Sequence, residues 1–97
     1  MNIRFTHLTF SPEKVDEAKK VYTTEIAPVI RSYQGNKDVL FLEPEAVGEP
    51  FISCTVWETA EDLKAFESSA EYGKVISKIK ELAQRVEQKY YGVVNPF

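Results

Sequence analysis

The stretch from Phe51 to Phe66, FISCTVWETAEDLKAF, limits the fold more than any other part of the chain, because it contains the join between a strand and a helix. Phe51 to Trp57 is made of β-branched, aromatic and small residues, which suit a pleated, buried surface. Thr59 then offers an N-cap hydroxyl, and Asp62 stands three residues on, where a carboxylate answers the cap. Glu58, Glu61 and Asp62 place negative charge at the positive end of the helix dipole, and Leu63 and Phe66 give the new helix an apolar face.

The remaining elements are read in chain order. Asn2 to Phe10 is expected to be a strand with apolar groups on both faces, Ile3 and Phe5 on one, Leu8 and Phe10 on the other. Ser11 before Pro12 predicts a helix start with Ser11 as the cap. Val15, Ala18, Tyr22, Ile26, Val29 and Tyr33 recur every three or four residues, one face of a long helix. Pro28 has no N–H for the carbonyl of Thr24, which predicts a kink or loosened turn from about Thr24. Gly35 and Asn36 suit the positive φ that ends a helix. A second strand is expected over Val39 to Glu43, with Pro44 to Pro50 turning the chain into the third as a hairpin. The short helix after Thr59 reaches about Ser68. The spacing of Tyr72, Val75, Ile76, Ile79, Leu82, Ala83 and Val86 then predicts another helix, which gives way before Tyr90. Gln88 to Val94 reads as the closing strand and Asn95 to Phe97 as a short tail.

The order β-α-β-β-α-β, with the second helix broken in two, is the ferredoxin-like split βαβ arrangement, an α+β fold with one antiparallel sheet and helices on one face. Ninety-seven residues make a single domain, residues 1 to 97, with a thin core. The strands nevertheless carry large apolar side chains on both faces: Leu40 beside Phe41, Ile52 beside Trp57, Tyr90 beside Tyr91. Helices cover only one face, so the other would expose an apolar patch larger than monomers tolerate. A homodimer joined through the sheet faces is expected.

Charge and cysteine usage exclude several classes of function. The net charge of −3 is spread evenly, without the clustered Lys and Arg that track nucleic-acid phosphates. No run approaches the roughly 18 apolar residues of a membrane span, and MNIRFTHLTF lacks the pattern of a signal peptide. A cytoplasmic protein without nucleic-acid or membrane partners is expected. Cys54 is the only cysteine and His7 the only histidine, so there is no internal disulfide and no paired Cys or HxxxH metal spacing, and no Ser/His/Asp set is proposed from the one histidine.

VWET at Val56 to Thr59 with Phe66 after it, SPEK at Ser11 to Lys14, and Gly35 between helix and second strand resemble the antibiotic biosynthesis monooxygenase domain of the dimeric α/β barrel superfamily. The resemblance covers nearly the whole chain. It implies that two subunits pack their sheets into a shared barrel and that each holds a ligand pocket between sheet and helices. Heme-degrading members use an Asn on the first strand, a Trp on the helix after the third, and an iron-ligating His; the matching positions here are Thr6, Phe66 and Ile76. Isoleucine cannot ligate iron, which disfavours heme, and the neighbouring Tyr72 has the spacing of a core aromatic. Cofactor-free anthrone oxygenases carry an Asn and a Trp four residues apart on the third strand and a Tyr on the next helix, matched here by Ser53, Trp57 and Leu63. The resemblance therefore implies a monooxygenase that needs no cofactor and acts on a quinol-like or polycyclic phenolic molecule. A non-catalytic small-molecule binding or sensing dimer is the alternative.

Such chemistry requires a dry aromatic pocket and a few donors for developing negative charge. Trp57, Ser53 and Thr55 share one face of the third strand, Thr6 stands on the first, and Phe66 and Tyr72 follow on the helices; these six are the candidate pocket residues. Each also has a plain reading, Trp57 as a core aromatic under the short helix and Ser53 and Thr55 as small polar residues tolerated in a strand. His7 has the intrinsic pKa of a general base, yet alternation places it with Phe5 on the expected dimer face. Cys54 shares its parity with Ile52 and Val56 and reads as packing. Tyr90 and Tyr91 point to opposite faces. Arg4 and Arg31 are cations for an anionic substrate on charge alone.

Overall fold

The computed structural model describes residues 1 to 95. Pro96 and Phe97, the end of the expected tail, lie outside the described residues. Four strands, β1 (Asn2–Thr9), β2 (Asn36–Leu42), β3 (Phe51–Trp57) and β4 (Arg85–Gly92), form one sheet in the order β2-β3-β1-β4. Every neighbouring pair is antiparallel. This is the ferredoxin-like order, with β1 and β3 in the centre. The first helical rod starts as a 3₁₀ turn (Pro12–Lys14), continues as α1 (Val15–Val21), widens into a π turn (Tyr22–Ile26) and closes as α2 (Ala27–Arg31). After β3 come α3 (Ala60–Glu67) and α4 (Ala70–Leu82), the expected broken helix.

Local chemistry explains most of these boundaries. The Thr59 hydroxyl accepts from the Asp62 N–H at 3.1 Å and donates to the Asp62 carboxylate at 2.9 Å, fixing the start of α3. Ser69 caps α4 in the same way, accepting from the Tyr72 N–H at 3.1 Å. Gly35 has φ +84°, and a Cβ there would fall 2.2 Å from Asp62 Oδ2, so the chain passes too close for any other residue.

One expectation, the loosened turn before Pro28, is met in a particular form, and three others change. Ser11 makes no side-chain cap, and its carbonyl instead accepts the Lys14 N–H at 2.9 Å in a 3₁₀ turn. The disturbance from Pro28 appears as the π turn, and the rod runs on to Arg31 without breaking. β2 begins at Asn36, three residues earlier than its apolar run, because the Asn36 amide bridges the register shift by donating to the carbonyls of Asp38 at 3.2 Å and Val56 at 3.3 Å. α4 stops at Leu82 and β4 starts at Arg85, so Val86 lies opposite Leu8 in a strand and does not prolong the helix. A lone apolar residue satisfies both a period of two and a period near four, and the Gln84 N–H bond to the Thr9 carbonyl, 2.7 Å, decides for the strand.

Strand alternation sorts the side chains onto two faces. Arg4, Thr6 and Leu8 of β1, with Phe51, Ser53, Thr55 and Trp57 of β3, are buried beneath the helices. Ile3, Phe5 and His7 of β1 lie on the opposite face with Leu40 and Leu42 of β2, Ile52, Cys54 and Val56 of β3, and Tyr91 of β4. Leu40 is 46% exposed there.

Candidate functional site

The centre of the helix-covered face is polar. Thr6 stands opposite Ser53 on β3 and Gln88 on β4, and Arg4 stands opposite Thr55 and Tyr90. Arg4 (3% exposed) and Thr6 (2%) are as buried as the leucines around them. Ser53 shares a hydrogen bond with the Tyr22 hydroxyl, carried on the π turn. Burial pushes the Tyr22 phenol above its ordinary pKa more strongly than that bond and the charge of Arg4 lower it, so it stays neutral. The Trp57 indole N–H donates to Thr55 Oγ1 at 2.9 Å. Gln88 donates to the Tyr72 hydroxyl at 3.0 Å. Glu67, at the end of α3, accepts from Arg4 Nη1 at 3.0 Å and from the Tyr90 hydroxyl at 2.6 Å on one oxygen.

Aromatic rings enclose this polar row. Trp57 lies nearly parallel to Phe66, centroids 5.3 Å apart, and Tyr72 meets Phe66 edge-on at 5.2 Å. The Arg4 guanidinium sits 5.3 Å from the Tyr72 ring centre and 5.8 Å from that of Phe66, a cation over two π faces. Two polar atoms here have no partner among the described residues, Thr6 Oγ1 and Arg4 Nε. Native proteins rarely leave buried donors unpaired, since each costs about 1–3 kcal/mol.

All six residues named from the sequence, Trp57, Ser53, Thr55, Thr6, Phe66 and Tyr72, meet on this face. Trp57 and Phe66 are fully buried against each other, so side chains fill the space directly beside the indole. Sequence reasoning passed over Tyr22, which its helical spacing marks as core, and Gln88 and Glu67, which look like solvated residues. Arg4 carried a readable signal, since it lies two residues from Thr6 and alternation puts both on one face.

Open space lies at the other end of the sheet. A cleft of about 720 Å³, within the range of small-molecule sites, has Phe10 and Phe51 among its lining, with Val15 and Lys19 from the rod and the loop 43–49. Lys19 pairs with Glu43 on its rim at 2.7 Å. None of the six candidates lines it, yet a row of rings joins it to the polar row: Phe10 to Phe51 at 5.4 Å, Phe51 to Phe41 at 5.4 Å, and Phe41 stacked on Tyr22 at 4.1 Å. Tyr22 follows Lys19 by one turn, so cleft and polar row share a wall.

On the uncovered face, Tyr91 packs edge-on to Phe5 at 5.5 Å, while Tyr90 has turned to the helix side. Burial and, secondarily, Asp38 push the Cys54 thiol up, away from the reactive thiolate.

The sequence model for antibiotic biosynthesis monooxygenase matches residues 1–78. The chain belongs to that family. No curated protein matches it in sequence. Among solved structures it is similar to a Deinococcus radiodurans protein assigned to antibiotic biosynthesis monooxygenases, at 17% identity and TM-score 0.87, covering 100% of this chain and 96% of that one. It is similar to the heme-degrader MhuD of Mycobacterium tuberculosis, solved with two hemes bound, at 15% identity and TM-score 0.84, covering 100% and 99%. A variant of SnoaB, a cofactor-independent oxygenase from Streptomyces nogalater, matches at 11% identity and TM-score 0.83, covering 98% and 95%. These likenesses show the fold, and the family supports a monooxygenase or small-molecule-binding role.

Heme fits this member of the family poorly. Ile76 packs against the core with no donor atom, the Tyr72 hydroxyl is engaged by Gln88 beneath a cation, and His7 is on the opposite face. Among the described residues no cluster of His, Cys, Asp and Glu is placed to hold a metal ion, and no helix is long and apolar enough to cross a membrane.

Proposed function

We propose that this protein is a monooxygenase that works without a cofactor on a quinol-like or polycyclic phenolic molecule, held between sheet and helices. The observation that carries the reading is the row of buried hydroxyls from Tyr22, Ser53 and Thr6, extended by the half-buried Tyr72, set inside an aromatic wall and joined by rings to an open cleft. A core that only had to pack would not gather them. The rings enter from the cleft past Phe51 and Phe41, and the phenolic edge meets the hydroxyl row. Trp57, Phe66 and Thr55 form the back wall.

The chemistry balances without a second reductant. An ionised phenol gives an electron to O2, and the radical pair combines at a ring carbon as a hydroperoxide. Cleavage of the O–O bond leaves one oxygen atom on the ring as a quinone carbonyl. The other departs as water with the hydrogens of the phenol and of the attacked carbon. The protein excludes water and supplies donors where negative charge gathers. Oxygen-electrode assays over a panel of quinols and polycyclic phenols test this: uptake is expected, and Ser53→Ala should slow it on the order of a hundred-fold. No uptake above buffer with any of the panel removes the oxygenase. The second reading, a binding or sensing module, rests on Ser53 and Leu63 standing where related oxygenases carry Asn and Tyr. Native mass spectrometry that finds no bound or titratable small molecule would remove that one.

The same reading has the protein act as a homodimer through its uncovered sheet face, where Leu40, Leu42 and Tyr91 are roughly half exposed. Static light scattering at micromolar concentration should return twice the chain mass.

A further inference from the structure

Among the described residues Arg4 is the one buried cation of the covered face, and its pairing is incomplete. Glu67 occupies Nη1 alone, leaving the Nε–H without a partner among the described residues. Thr6 Oγ1, two residues along the same face of β1, is equally unpartnered. Around this pair the other polar groups are committed, Ser53 to Tyr22, Thr55 to Trp57, and Gln88 to Tyr72. The rings of Phe66 and Tyr72 lie under the guanidinium, so whatever reaches Nε meets an aromatic floor. An Nε–H can only donate, and the side of the guanidinium fork that carries it is the side that matches an oxyanion. A neutral apolar molecule would leave both donors buried and unpaired.

We infer that Arg4 Nε and Thr6 Oγ1 form an anion-recognition site, and that the ligand of this protein is an aromatic molecule bearing an oxyanion, carboxylate or phenolate, taken in its ionised form. The inference rests on the proposed pocket between sheet and helices but not on oxygenase turnover. Glu67 acts here as a positioning residue: it holds Nη1 from the rim of the site, where Tyr90 also ties it down, and so leaves the Nε edge free for a ligand. Arg4 thereby selects the substrate, and Thr6 sharpens the selection.

The test uses 2-naphthoate, its neutral counterpart 2-naphthamide, and 2-naphthol at a series of pH values. Binding is read by calorimetry and by the fluorescence of Trp57, the only tryptophan. The wild type should bind naphthoate at least about ten-fold more tightly than naphthamide. Arg4→Lys keeps a positive charge for Glu67 but has no Nε–H, and should erase most of that preference. Thr6→Val, the same shape without the hydroxyl, should reduce it several-fold and carries the test if Arg4→Lys fails to fold. Naphthol affinity that rises as naphthol ionises adds phenolates to the ligand class; affinity that stays flat confines it to carboxylates. Equal binding of naphthoate and naphthamide, a preference untouched by both substitutions, or no saturable binding would overturn the inference, leaving the two donors to ordered water alone. Naphthoate binding without oxygen uptake from any quinol would remove the oxygenase and leave this site standing. Uptake without the anion preference would do the reverse.

Discussion

The covered face of the sheet buries Arg4, Thr6, Ser53 and Thr55, while the uncovered face presents Ile3, Phe5, Leu40, Leu42 and Ile52. A domain of 97 residues selected only for stability would place these sets the other way round, because buried polar groups cost energy unless paired and apolar groups gain by leaving water. The inversion is partly repaired inside, where Tyr22, Trp57 and Glu67 engage Ser53, Thr55 and Arg4. What stays unrepaired is informative on both sides. Unpartnered donors under the helices point to a ligand, and bare leucines on the far side point to a second copy of the chain.

The largest expected effect breaks the outer half of the comparison. Leu40→Lys combined with Leu42→Lys would put four cations into the proposed symmetric interface and remove the four leucines it would bury, each worth about 1.5–3 kcal/mol when fully covered. The dimer dissociation constant should rise by about three orders of magnitude in sedimentation equilibrium, with little change in the circular dichroism spectrum. A double variant that dimerises like the parent would mean the bare face is not the interface.

Phe66→Ala acts on the inner half. Phe66 touches Trp57, Tyr33 and Tyr72 and carries no solvent exposure, so its loss leaves a cavity in the wall of the polar row. Urea unfolding should show a loss of about 3–5 kcal/mol, a large share of the stability of a small domain. A loss below about 1 kcal/mol would show that the ring wall is loosely packed.

Thr6→Val separates function from stability on the inner face. The valine fills the same volume and removes a hydroxyl that has no partner among the described residues, so the ligand-free protein should gain about 1 kcal/mol even as anion binding weakens. Destabilisation of that size would mean that the hydroxyl is satisfied and structural.

How far the sequence disclosed this arrangement follows from the periodicities involved. Alternation along β1 and β3 and the Thr59 cap are local signals, so the element order, the Phe51–Trp57 strand and both faces of the sheet were legible. Val86 misled because one apolar residue fits two periods at once, and the Asn36 bridge depends on a strand twenty residues away. In the site, Ser53, Thr55, Thr6, Trp57, Phe66 and Tyr72 were legible as a group because strand parity and helical spacing converge on one face. Tyr22 was not, since its hydroxyl and its ring point to different readings and only the partner, Ser53, decides between them. Glu67 and Gln88 escaped because a carboxylate at a helix end and an amide in an edge strand look like surface. Their partners lie 63 and 16 residues away in sequence.

The smallest expected effect concerns Tyr90, at the rim of the covered face. Its phenol is pushed up to about 12, first by burial and then by its hydrogen bond to Glu67 and the charge of that carboxylate, with Arg4 acting in the opposite sense. The neutral phenol is therefore favoured in the folded state over the unfolded one, where Tyr titrates near its ordinary value of 10. Stability from this group is fully present below pH 10 and drains away as pH rises from 10 towards 12. Tyr90 is about half exposed, so solvent screens the effect and added salt should shrink the part due to Glu67. Urea unfolding of the parent should accordingly lose stability faster across that alkaline window than Tyr90→Phe does. Equal slopes would mean that the Tyr90 hydroxyl faces water and leaves Glu67 free to move. Glu67 would then hold Arg4 Nη1 without a second tether of its own.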